Sequence, residues 1–209
     1  MAAGDISGPE TAALRMRVTE YLKAHHTMTL ATVGAWPGVP EAGAVAGAGE
    51  MPAPHAASVF YAVDDKLRLV FLSKTSSLHG EHISRRASVA VTVTESYDDW
   101  EMIRGVQMWG EARLLSGPAK AGALGLYVSR FPFVRDILKH PSMAGLMRGM
   151  GVYRVEPARV AFTDNLTGVF GREVLDLRLE AAPSGGSSRH VRVGRVTKAA
   201  TDASGSKNG

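Results

Sequence analysis

The chain has 209 residues, 45% hydrophobic and 21% charged, a composition that supports one globular domain with a core of its own. It has no cysteine, which excludes disulfides, thiolate metal sites and cysteine nucleophiles. The formal net charge is +4, yet residues 181–209 carry Arg189, Arg192, Arg195, Lys198 and Lys207 against Asp202 alone, so residues 1–180 are balanced and have no excess charge to attract nucleic acid.

The start, MAAGDISGPETAAL, lacks a basic stretch followed by an apolar run, and no segment reaches the roughly 20 apolar residues of a membrane helix. Together with the missing cysteines this predicts a cytoplasmic chain with no membrane partner. PETAALRMRVTEYLKAHH places Pro9 in a first turn and Leu14, Val18, Tyr21 and Leu22 on one helical face. TMTLATV (27–33) reads as a strand. The Gly-, Ala- and Pro-rich stretch 34–54 cannot form a regular core element and is expected to be a long connection.

HAASVFYAV and KLRLVFLS read as a hairpin about Asp64-Asp65. SSLHGEHISRR is a helix, and ASVAVTVT (87–94) a strand with Val89, Val91 and Val93 on one face. SYDDWEMI is a polar loop, and RGVQMWGEARLL a strand with Val106 and Met108 opposite Gln107 and Trp109. From Gly117 to about Met150 the pattern is helical, broken by Pro118, Pro132 and Pro141; two strands, VYRVEP…RVAFTD and GREVLDLRLE, close the body. Short turns and single-face alternation predict a mainly β (α+β) fold, an antiparallel barrel of six to seven strands with an N-terminal helix and a helical insertion before the last strands. The body is expected to span 1–180, followed by a basic, Gly/Ser-rich, disordered tail at 181–209.

FLSKTSSLHGEHI is the stretch with the most chemistry. A helix starting at Ser76 or Ser77 leaves free N–H groups and a positive dipole end beside Ser73, Lys74 and His79, the makings of an anion seat. A plain serine N-cap accounts for the same residues. His79 and His82, at i and i+3, could share a metal, but no third ligand is evident, and they read more simply as solvated helix histidines. Asp98, Asp99 and Glu101 read as solvated loop carboxylates. Gln107, beside Trp109 and Glu111, is either a half-exposed sheet residue or an amide placed to bond a planar heteroaromatic ligand. No Walker, HExxH or GxSxG pattern is present.

In order, YLKAHHTMTLATV, PHAASVFYAVDDKLRLVFLSKTSSLHGEHISRRASVAVTV and GVQMWGEARLL resemble the flavin-binding split-barrel superfamily, whose best-known member is pyridoxamine 5′-phosphate oxidase. The resemblance runs from about Tyr21 to Arg178. IRGVQMWGEARLL, SRFPFVRDIL and YRVEPARVAFTDNLTGVFGREVLDL look like a small bacterial branch and not the true oxidases.

The resemblance implies a split barrel that holds FMN at a homodimer interface and acts as an oxidoreductase on a small-molecule substrate. It implies that Ala57 and Ser58 face the flavin and its tail, and that Leu72 and Ser73 are the strand-end pair at the cofactor. Ser77, Leu78 and His79 match the phosphate stretch, with His79 where a lysine is usual. Gln107 lies on the sheet region near the isoalloxazine edge, and Thr163, Asp164, Asn165 and Arg172 fall where the partner supplies contacts. Ala62 replaces the oxidases' substrate lysine and Thr163 a flavin-facing tryptophan, which points away from pyridoxamine-phosphate oxidation itself. The same cleft in relatives takes deazaflavin F420, FAD or haem, and a non-enzymatic cofactor-binding protein is the remaining alternative.

Overall fold

The computed structural model describes residues 8–35, 52–139, 144–147, 149–167 and 171–179. The expected tail and nearly all of the long connection after the first strand lie outside them. Seven antiparallel strands form one sheet: β1 (Thr27–Gly34), β2 (Ala53–Val63), β3 (Leu69–Lys74), β4 (Ser88–Thr94), β5 (Arg104–Leu114), β6 (Met150–Asp164) and β7 (Arg172–Asp176). Their order is β3-β2-β1-β4-β5-β6-β7, and a further β3–β6 pairing closes six of them into a barrel. One edge of β6 carries β3 along residues 150–155 and β7 along 159–163, so the barrel is split where those two strands part.

The alternation seen in the sequence is what closes the barrel. Met28 and Leu30, Val89, Val91 and Val93, and Val106 and Met108 all point inward and are at most 7% exposed. In β6 the β5 register shifts between Trp109, opposite Arg159, and Gly110, opposite Pro157. The unpaired residue, Ala158, is a bulge that switches the inward positions from Tyr153 and Val155 to Val160 and Phe162.

Two helices close opposite ends. α1 (Pro9–Ala24) begins at Pro9 and buries Leu14, Val18, Tyr21 and Leu22, with Tyr21 donating to the Arg104 carbonyl at the start of β5 (3.1 Å). α2 (Leu78–Arg85) sits at the other end and buries His79, Gly80, His82 and Ile83. The helical insertion supplies α3 (Gly117–Arg130), α4 (Pro132–Lys139) and α5 (Ala144–Met147). Ala123, Tyr127, Phe131 and Val134 from α3 to α4 pack on the outside of the barrel against Ala62, Val70 and Val152.

Two expectations are corrected. The β2–β3 turn is not a two-residue Asp64-Asp65 loop but spans 64–68, so β3 starts at Leu69 and not near Lys66. Asp64 accepts from the Lys66 and Arg68 amides (2.9 and 3.0 Å) and from Arg68 Nε (2.6 Å), while Leu67 takes a left-handed φ of 60° so that its side chain can be fully buried. His79 and His82 are not solvated: they are 8% and 3% exposed, because they face the barrel mouth that α2 plugs.

Candidate functional site

The corner between β3 and α2 is built from its own hydrogen bonds. Ser77 is the N-cap: its hydroxyl donates to the Lys74 carbonyl (2.7 Å) and accepts from the Gly80 amide (3.2 Å). Ser73 Oγ lies 3.2 Å from Ser77 Oγ and 2.6 Å from His79 Nε2. The cap thus consumes the hydrogen of Ser77, and the groups left to meet an anion are Ser73, His79 and the first-turn amides of α2.

Behind His79 stand two more histidines. The His55 ring lies parallel to that of His79, centroids 6.1 Å apart, and edge-on to that of His82 at 6.0 Å. His82 Nε2 donates to the Ala35 carbonyl (2.9 Å), which leaves Nδ1 to accept from the Thr32 hydroxyl (3.0 Å). Gly34 lies flat against the His82 ring, and any Cβ there would collide with it. Burial, helped by His55 and His82, pushes the His79 value below the ordinary 6.5, so at neutral pH it is an uncharged donor or acceptor and not a fixed cation. Among the described residues no group of three or more His, Cys, Asp or Glu side chains is arranged to hold a metal ion.

A second group forms on the outside of β5 and β7. Arg172 Nη2 donates to Gln107 Oε1 (2.6 Å), and its guanidinium lies 5.4 Å from the centre of the Trp109 ring. Thr163 is opposite both Gly105 and Arg172 in the sheet, so Gln107, Thr163 and Arg172 are neighbours. Asn165 and Asp164 turn elsewhere. Asn165 is buried and donates to the Trp100 carbonyl (2.7 Å), and Asp164 pairs with Arg104 (3.3 Å). Ser58 is on the outer face of β2 and Ala57 on the inward side, while Leu72 packs against the α3 cluster. Leu78 is half-buried in the first turn of α2. Ala62 is 2% exposed under α3, so that position is filled by packing.

Between the two groups lies an outer sheet face that no described helix covers. Cross-strand register aligns Ser58, Thr29, Thr92 and Gln107 in one row and Ala56, Ala31, Ala90 and Trp109 in the next. None of these eight is buried. Phe60, 48% exposed, borders this face and packs edge-on against Phe131 at 5.4 Å. Sequence reasoning set His79 beside His82 by their i, i+3 spacing but missed Thr32 and His55, which the β1–β2 pairing brings to that pair.

A closed six-stranded antiparallel barrel split beside β6, with a polar corner at its end, defines the split-barrel class. The chain belongs to the pyridoxamine 5′-phosphate oxidase family, whose profile matches residues 14–164. Its sequence relatives are UPF0306 proteins: it is 36% identical to one from Klebsiella pneumoniae over 119 residues, 56% of this chain and 73% of that protein. The fold is similar to that of a conserved hypothetical protein from Mycobacterium tuberculosis (TM-score 0.55, 21% identity, 90% of this chain and 98% of that one). It is also similar to a haem-binding protein from Mycobacterium smegmatis (TM-score 0.52, 15% identity), covering 76% of this chain and 55% of that one. No helix among the described residues is long and apolar enough to cross a membrane.

Proposed function

We propose that the chain binds FMN at the interface of a homodimer and serves as a flavin-dependent oxidoreductase for a small molecule. The observation that carries this reading is the outer face of β2, β1, β4 and β5, which no described helix covers, two rows of small side chains ending at Gln107 and Trp109. A flat, half-exposed floor of alanine, serine and threonine suits a planar ring or a second copy of itself, and the large apolar Phe60 beside it favours burial. When bound, FMN supplies the electron transfer.

The chain's own residues would bind and orient it. The phosphate fits the α2 corner, where Ser73, His79 and the free first-turn amides converge and the helix dipole favours an anion. Gln107 and Arg172 fit the polar edge of the ring, one as an amide and the other as a cation. Within one chain the two groups are far apart: Ser73 is opposite Gly151 and Arg172 opposite Thr163, which are separated by about 40 Å of strand at 3.3 Å per residue. A two-fold partner removes that difficulty by presenting its Gln107–Arg172 group to the first chain's α2 corner.

The test is the absorption spectrum of the purified protein and of the ligand released by heating. Release of FMN supports the reading. A Soret band, or released F420 or FAD, replaces FMN with that cofactor, and a colourless protein that takes up no added FMN overturns it. Turnover of an artificial electron acceptor by the loaded protein separates an enzyme from a carrier.

A further inference from the structure

The flank of α2 turned away from the histidines borders a cavity of about 490 Å³, within the range of small-molecule sites. Its other walls are the ends of β5 and β6. The lining has two guanidinium groups, Arg85 and Arg113, and no carboxylate. Ile83, Ala112 and Leu114 make its apolar side.

The hydrogen-bonding inventory of this cavity is uneven. Thr75 donates to the Gly149 carbonyl (3.3 Å) and Ser84 to the Glu81 carbonyl (2.7 Å), so both hydroxyl hydrogens are used. Arg113 is paired with Glu111 (2.5 Å). The Arg85 side chain has no hydrogen bond or ion pair with the described residues. Tyr153 is only 2% exposed, its ring is stacked on Phe71 at 5.0 Å, and its hydroxyl has no partner among the described residues. The ring is buried, but the hydroxyl opens onto the cavity, where a ligand can accept from it in place of water. Burial raises the Tyr153 value, which keeps the proton on the oxygen and the hydroxyl a donor.

The helix leaves room for that hydroxyl. A Cβ on Gly80 would come within 3.0 Å of it and within 2.8 Å of the Thr75 carbonyl, so any other residue here would crowd the inner wall. What remains in the cavity is a phenol donor that faces it, an exposed cation with no partner among the described residues, a second cation shared with Glu111, and an apolar wall.

We propose that this cavity is a second ligand site, separate from the histidine corner, that takes a small organic anion: a phosphate or carboxylate group on a short apolar body. The anionic group accepts from Tyr153 and faces Arg85, while the body lies along Ile83, Ala112 and Leu114. This site stands whether or not the corner holds FMN.

Calorimetric titration of the full chain with phenyl phosphate, benzoate and benzyl alcohol tests it. Phenyl phosphate or benzoate is expected to bind, benzyl alcohol at least about tenfold more weakly, and Tyr153→Phe and Arg85→Ala each to weaken the anion by about tenfold (~1.4 kcal/mol). Ser73→Ala should leave this binding unchanged, which separates it from any anion at the corner. Arg85 is exposed, so its removal gives a reading even if Tyr153→Phe fails to fold. No binding of either anion up to about 10 mM, far weaker than millimolar sites, overturns the proposal. So do equal affinity for benzyl alcohol, unchanged affinity in Arg85→Ala, and binding lost in Ser73→Ala.

Discussion

The two helices that close the barrel do the same structural job with different materials. α1 plugs its end with Leu14, Val18, Tyr21 and Leu22, and α2 plugs the other with His79, His82 and Ile83. The α1 end has a cleft too, about 410 Å³, but ion pairs stand around it, Arg17 with Glu173 and Arg104 with Asp164, and His25 bonds Glu95. At the histidine corner of the α2 end, imidazoles and hydroxyls bond one another without an ion pair, at the N-terminus of a helix. Polar groups kept at a barrel mouth point to a ligand, and the difference between the ends is where the function is to be sought.

The largest expected effect is on the apolar end. Leu14→Ala should cost about 3 kcal/mol in urea unfolding, the usual loss for a fully buried leucine. A loss below about 1 kcal/mol would mean that α1 is not a packed plug. At the polar end, Gly34→Ala should cost roughly 1–3 kcal/mol, because its methyl group meets the His82 ring. Adding His82→Ala should recover part of that cost in a double-mutant cycle, and strict additivity would show that the two do not touch.

A third effect depends on pH. The folded His79 value lies below that of the unfolded chain, so between the two values the unfolded state binds more protons. The stability tied to neutral His79 is therefore complete above about pH 6.5 and is lost as pH falls from there toward the folded value. Urea midpoints should drop over that window, and His79→Gln should flatten the slope; an unaltered slope would remove His79 as its source. The smallest effect on stability is expected for Arg172→Ala, within about 0.5 kcal/mol because the residue is a partly exposed surface partner of Gln107. Its FMN affinity should nevertheless fall by about tenfold, the worth of one charge-assisted contact.

Most of the barrel was legible because its signal is local. Met28 with Leu30, the three valines of β4, and Val106 with Met108 alternate with period two, and that alone orients each strand. Leu14, Val18, Tyr21 and Leu22 gave α1 by the same logic at helical spacing. The β2–β3 turn was misread because Asp64 anchors a five-residue loop through its side chain, and nothing nearby advertises a left-handed Leu67. Ser77 was legible as a cap. The burial of His79 and His82 was not, since it depends on Thr32, Gly34 and His55, which are brought to α2 only by the β1–β2 pairing. The outer face was likewise invisible: Ala31, Ala56 and Ala90 are unremarkable until cross-strand register sets them in a row.

The most direct test of a cofactor seat shared between two subunits is FMN binding to mixed dimers. One subunit carries Ser73→Ala with His79→Ala, the other Arg172→Ala, and each homodimer alone should bind FMN weakly. After subunits are exchanged, half of the dimers are mixed and each has one site with both halves intact, so about a quarter of all sites should regain wild-type affinity. If mixing restores no tight sites although exchange has taken place, the α2 corner and the Gln107–Arg172 group do not serve one ligand, and the shared seat is wrong.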